Sequence, residues 1–246
     1  MTDTWRSGAL VCAAVLQVLA GFVGGAGLWG ESVGTVANSY PTLLLPAGAA
    51  FTIWSLIYAG FGALAIRQVV QRRRDVHRRT GWWLVAAGVL NATWILLFTN
   101  RLFLLAQLVI VGLLICLVCA ALRLQPANGW ADRLLLHIPV MVYLGWVAVA
   151  TVAGAATTAA AFGAAPGITA AIVALALTGV GAALAVLRLP AVIGFAAAVC
   201  WALAWIAANT PTTWVQVTAL AAIAAVALTA VIRIERRPNR STIAWG

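Results

Sequence analysis

The chain has 246 residues, of which 64% are hydrophobic and 8% are charged, and its net charge is +10. A soluble domain is roughly half apolar and a quarter charged, so a water-soluble fold could not bury this much apolar surface. The apolar segments run about 20 residues and lack the alternation of membrane-barrel strands. These observations exclude a soluble nucleic-acid-binding protein and predict an all-α, polytopic transmembrane helix bundle.

Eight apolar segments are predicted to span the membrane. They lie near residues 8–28, 44–66, 81–99, 102–122, 134–157, 168–187, 190–208 and 213–232. With the N-terminus in the cytoplasm, this division places almost every arginine in a cytoplasmic segment, as the positive-inside rule requires. Only Arg101 falls outside. We therefore predict cytoplasmic N- and C-termini. The absence of lysine and the abundance of alanine favour a bacterial source, and hence a bacterial cytoplasmic membrane.

Residues that carry chemistry are scarce inside the predicted spans. Asp132 lies at the edge of the fifth span, and His137 is the only ionisable side chain one full turn inside a span. Coupled transporters usually need an intramembrane ionisable group, so a pump is disfavoured. The spacing of Cys116 and Cys119 has no second pair to complete a metal site. No catalytic or metal-ligating set is predicted, and an enzyme is disfavoured.

Aromatic residues remain, and several of the twelve tryptophans lie deep in the spans. Helix rise places Trp54, Asn91, Tyr143 and Trp146 at a common depth of about 15 Å, near the midplane. Three pairs share a helix face by their spacing. They are Trp54 and Tyr58, Asn91 and Trp94, and Tyr143 and Trp146. If these faces converge, they form an aromatic pocket for a flat apolar ligand. The alternative is that these side chains only hold the helices together.

Three motifs at these positions resemble those of the translocator protein family, the tryptophan-rich sensory proteins (TspO/MBR-like). The second predicted span matches the family pattern Trp-[Ser/Thr]-x-x-Tyr-x-x-x-Gly. The third matches Leu-Asn-x-x-Trp-x-x-x-Phe, and the fifth matches Tyr-Leu-x-Trp-Val-x-x-Ala-Thr. The matching residues are Trp54, Ser55, Tyr58, Gly62, Leu90, Asn91, Trp94, Phe98, Tyr143, Leu144, Trp146, Val147, Ala150 and Thr151.

The chain also departs from the family pattern. Thr52 stands where the family often has proline, Pro139 lies four residues before Tyr143 instead of directly before it, and Gly154 replaces an expected asparagine. The resemblance covers about residues 8–157. It implies a five-helix tryptophan-rich sensory protein-like unit at 1–160, followed by an additional three-helix segment with a basic cytoplasmic tail at 161–246. The chain thus resembles a divergent, extended member.

The resemblance implies an intramembrane pocket for a porphyrin or another tetrapyrrole, with a sensory or ligand-handling role. The predicted ligand-binding residues are Trp54, Tyr58, Asn91, Trp94, Tyr143 and Trp146. A porphyrin-type ligand is the only cofactor suggested, and the lipid bilayer and a hydrophobic small molecule are the predicted partners. The Gly21 and Gly25 pair on the first helix could also support a homodimer. A facilitator-type small-molecule transporter and a membrane interaction protein without a ligand remain the alternatives.

Overall fold

The computed structural model describes residues 2–246, and every regular element in that range is helical, which confirms the all-α prediction. In chain order the helices are α1 (Thr2–Ala26), α2 (Val33–Asn38), α3 (Ile53–Val70), α4 (Asp75–Thr99), α5 (Phe103–Ala121), α6 (Trp130–Asp132), α7 (Ile138–Ala161), α8 (Ile168–Arg188), α9 (Ile193–Asn209), α10 (Thr213–Glu235) and α11 (Arg240–Trp245). A 3₁₀ turn at Gly48–Thr52 leads into α3, and a π turn at Arg133–His137 joins α6 to α7.

Seven helical segments in the described range are long and apolar enough to cross a membrane. The eighth predicted span corresponds to α9, which is apolar but has only 17 residues. At 1.5 Å per residue α9 is about 25 Å long, slightly less than the ~30 Å hydrocarbon core. The C-terminal segment caps its first turn, because the Val192 amide donates to the Ile243 carbonyl over 3.1 Å.

The first five long helices form a closed ring. Contacts run from α3 to α1, then to α4, α5 and α7, and back from α7 to α3. The remaining three pack outside this ring, since α9 lies along α7, α10 lies along α9, and α8 lies along α10. Three of the five ring helices, α3, α4 and α7, carry the sequence motifs. The division of the chain into units at 1–160 and 161–246 stays a prediction.

The two ends of the bundle differ in charge. One end, here called the arginine-rich end, contains the start of α1, the α3–α4 turn, α6 with the π turn that leads into α7, and α11. At this end Asp132 is buried and accepts hydrogen bonds from Arg67, Arg74 and the Asn128 amide. These bonds tie the end of α3 to the start of α6. The assignment of this end to the cytoplasm stays a prediction from the positive-inside rule.

At the opposite end of the bundle, Arg101 connects two segments through its side chain. Its guanidinium pairs with Glu31 and donates to the Tyr40 hydroxyl over 2.9 Å. Arg101 has a φ of 60°, which is rare for a residue with a Cβ. Such a backbone persists only where its surroundings fix it, and the contacts with Glu31 and Tyr40 do so here. Arg101 therefore links the α4–α5 turn to the segment that covers this end of the ring.

Candidate ligand site: an aromatic cluster between two cavities

Trp54 of α3 lies at the centre of a cluster of aromatic rings. Its ring centroid is 5.5 Å from that of Tyr58 and 6.2 Å from that of Trp94, both in stacked geometry. It also meets Tyr143 and Trp146 edge-on, each with a centroid distance of 6.0 Å. Offset stacks and edge-to-face contacts in this range are favourable for aromatic pairs. Residues from α3, α4 and α7 thus converge, as their spacing predicted.

A glycine on the first helix allows this convergence. A Cβ at Gly21 would overlap the ring of Tyr58, so only glycine lets α1 approach this side chain. Gly21 therefore serves packing within the chain. The homodimer suggested by the Gly21 and Gly25 spacing stays a prediction, because a single chain does not test it.

A buried polar group on α1 completes the cluster. The side-chain oxygen of Gln17 accepts hydrogen bonds from the Asn91 amide and the Tyr143 hydroxyl, both over 3.3 Å. Gln17 and Asn91 are fully buried, and Tyr143 is nearly so. Sequence reasoning missed Gln17. The available signal was an isolated amide in an apolar span, since such groups commonly bond across helices.

The cluster lies beside a narrow space between α3, α4, α7 and α9, here called the inner cavity. Its volume is about 50 Å³, and Trp54, Trp94, Phe98 and Trp146 form much of its wall. The indole N–H of Trp146 is buried and has no hydrogen-bond partner in residues 2–246. Ligand sites are typically about 300–1,000 Å³, so the inner cavity in this conformation is too small for a flat multi-ring molecule.

A second space, here called the α1–α3 groove, lies on the other side of Trp54. Its volume is about 500 Å³. Trp54, Tyr58 and Trp94 face it, and Gly21 and Gly25 form part of the α1 side. Its polar groups include the hydroxyls of Ser32 and Ser55 and the amide of Asn38. The size falls within the usual range for small-molecule sites.

The segment that covers the inner cavity, residues 33–52, is hydrogen-bonded to α9. The Trp201 indole donates to the Ala50 carbonyl over 3.0 Å, and the Asn209 amide donates to the Leu45 carbonyl over 3.0 Å. The Ala47 amide donates to the Trp205 carbonyl over 3.1 Å. Ala202 and Ile206 of α9 also line the inner cavity. Thus α9 forms part of the wall of the inner cavity, although it carries none of the motifs.

The six predicted ligand-binding residues occupy four kinds of position relative to these spaces. Trp54 and Trp94 line both spaces, Tyr58 lines only the α1–α3 groove, and Trp146 lines only the inner cavity. Asn91 and Tyr143 line neither and instead bind Gln17. In the described range no group of three or more His, Cys, Asp or Glu could hold a metal ion. The arrangement provides aromatic surface and hydrogen-bonding groups.

Comparison with known proteins decides the family. A family model described as TSPO-like protein matches residues 5–232. The chain belongs to the TSPO-like family. No curated protein and no solved structure matches the chain.

The TSPO-like match confirms the resemblance that the three motifs indicated. It extends beyond the five-helix ring and includes α8, α9 and most of α10. Membership in the TSPO-like family, together with the membrane-spanning helices, makes this an integral membrane protein and points to a ligand-binding or sensory role.

Proposed function

We propose that the protein binds a flat, largely apolar small molecule of the porphyrin type in the α1–α3 groove and has a sensory or ligand-handling role. The observation that carries this proposal is the row of Trp54, Tyr58 and Trp94 along one side of a groove of about 500 Å³. Stacked aromatic rings offer a planar ligand large contact areas. The family membership supports a ligand-binding role in the membrane.

The position of the groove supports ligand entry from the bilayer. Phe22 and Val18 of α1 border the groove and are exposed to lipid. At the other border, Ser32 and Asn38 offer hydrogen bonds that suit the carboxylates of a tetrapyrrole. An apolar ring system would thus lie against the aromatic rings while its polar edge faces the membrane surface. The inner cavity would not need to open.

We expect Gly25→Phe to weaken the binding of protoporphyrin by about ten-fold or more, because the added ring takes up space in the groove. A Cβ at Gly25 would meet no atom within 4 Å, so the substitution should not disturb the fold. The measurement is a saturable titration of the purified full-length protein, followed by Trp fluorescence and by the porphyrin absorbance band.

Gly8→Phe is the matched control, since Gly8 also lies on α1 in open space but outside the groove. It should bind as the unaltered protein does. Ala153→Leu, which fills the inner cavity, should also leave the affinity unchanged. If Ala153→Leu weakens binding while Gly25→Phe does not, the ligand occupies the inner cavity. A lack of saturable binding by the unaltered protein would contradict the proposed ligand class.

A further inference from the structure

A separate groove lies between α5 and α8, away from the aromatic cluster. It has a volume of about 400 Å³. It exists because α8 packs closely along α10 and touches α7 and α9 only sparsely. Leu114 and Val118 of α5 form one wall, Leu177 and Gly181 of α8 form the other, and Val199 of α9 contributes to the floor.

The chemistry of this α5–α8 groove is uneven along its length. Thr178 and Arg188 are the only residues with polar side chains in its lining. The Thr178 hydroxyl already donates to the Ala174 carbonyl over 2.7 Å. Arg188 is exposed, and its side chain makes no ion pair or hydrogen bond with residues 2–246. The apolar α5–α8 groove therefore ends at the unpaired cation of Arg188, at the arginine-rich end of the bundle.

The length of the groove identifies its occupant. Arg188 lies eleven positions after Leu177 on α8, which corresponds to about 16 Å of helix. This is close to half of the ~30 Å hydrocarbon core, the depth of a single leaflet. A partner's transmembrane helix would need a groove along the full core. A lipid of one leaflet, with its acyl chain in the groove and its headgroup beside Arg188, matches both the length and the charge.

We propose that an anionic phospholipid from the leaflet on the arginine-rich side occupies the α5–α8 groove. Its phosphate pairs with Arg188, and an acyl chain fills the space between α8 and the five-helix ring. Basic residues at a membrane surface attract anionic lipids. The lipid would also replace the packing that α8 does not receive from α5 and α7, so that α8 and α10 are joined to the ring through it.

The full-length protein is reconstituted in bilayers of equimolar phosphatidylglycerol and phosphatidylcholine. Native mass spectrometry then identifies the lipids that the protein retains and so tests this proposal. We expect the unaltered protein to retain one phospholipid, with about a five-fold preference for phosphatidylglycerol. Arg188→Gln should abolish most of this preference while keeping the total lipid retained. Gly181→Leu should reduce lipid retention, because a Cβ there meets no protein atom within 4 Å and the side chain enters the groove.

Two matched controls keep the outcomes distinct. Arg79→Gln removes another exposed arginine, and Gly8→Leu enlarges another glycine in open space, both outside the groove. Both should retain lipid as the unaltered protein does. The proposal would be overturned if Arg79→Gln lowered the preference as much as Arg188→Gln. It would also be overturned if the Gly181→Leu variant retained as much lipid as the unaltered protein. The same holds if the Gly8→Leu variant lost as much lipid as the Gly181→Leu variant.

Discussion

Replacement of Asp132 by Asn is expected to lower the free energy of unfolding by about 3 kcal/mol, because it removes one partner of a buried ion-pair network. The side chain of Asp132 is only 2% exposed. It accepts two hydrogen bonds of 2.7 Å from Arg74, a further pair from Arg67, and one of 2.9 Å from the Asn128 amide. Without the carboxylate, the partly buried guanidinium of Arg67 would have no counter-charge.

The stabilising effect of this network depends on the charge of its arginines at neutral pH. The hydrogen bonds to Asp132 raise the pKa of Arg74, which lies in the turn outside the spans, above its usual value. Arg74 is therefore charged throughout the physiological range. The network joins the end of α3, the following turn and the start of α6, so its loss should loosen this end of the ring.

Unfolding in mixed detergent micelles with increasing SDS, followed by Trp fluorescence, measures this effect. Glu235→Gln is the control, because its ion pair with Arg240 is similar in length at 2.9 Å but both side chains are more than half exposed. Exposed pairs contribute only about 0–1 kcal/mol, so Glu235→Gln should have a small effect. Equal unfolding curves for the two variants would show that the Asp132 network does not stabilise the fold.

Gln17→Leu is expected to lower the free energy of unfolding by about 2 kcal/mol, since two buried donors lose their acceptor. The Asn91 amide and the Tyr143 hydroxyl both donate to Gln17. Hydrogen bonds between membrane helices average about 0.6 kcal/mol, so a larger loss would reflect the groups left without a partner. Gln107→Leu is the control, because Gln107 is only partly buried and donates to a single backbone carbonyl, that of Thr151.

A double-mutant cycle separates this mechanism from a simple packing change. Tyr143→Phe alone should destabilise the protein, because it removes a hydrogen bond. In the Gln17→Leu background the same change removes an unpartnered hydroxyl and should cost less or even stabilise the fold. The coupling between the two sites should be about 0.5–1 kcal/mol. Strictly additive effects in the same unfolding assay would indicate that Gln17 and Tyr143 do not interact.

Much of the fold follows from hydropathy and arginine placement. Each predicted span corresponds to an observed helix, because a continuous apolar segment in lipid must satisfy its own backbone hydrogen bonds. Hydropathy does not specify which helices are neighbours. The closed ring from α3 through α7, and the position of α9 against its outer side, depend on side-chain packing that a single sequence does not reveal.

The candidate site could be predicted from the sequence only in part. The spacing of Trp54 and Tyr58, and of Tyr143 and Trp146, placed each pair on one helix face, and the structure brings these faces together. As an isolated amide in an apolar span, Gln17 indicates a hydrogen bond to another helix, but the sequence does not identify Asn91 and Tyr143 as its partners. The attachment of residues 45–50 to α9 joins groups about 150 residues apart in the chain and has no local signal.

Photoaffinity mapping with a porphyrin locates the bound ligand directly on the helices. A porphyrin carrying a photoreactive diazirine would be bound to the full-length protein in lipid bilayers, activated by light, and located by peptide mass spectrometry. We expect labels on α1 between Val18 and Gly25, on Phe51 of the 3₁₀ turn and on α3 between Trp54 and Tyr58, all removed by excess unlabelled porphyrin. Competed labels confined to α8, α9 or α10, with none on α1 or α3, would contradict a binding site in the α1–α3 groove.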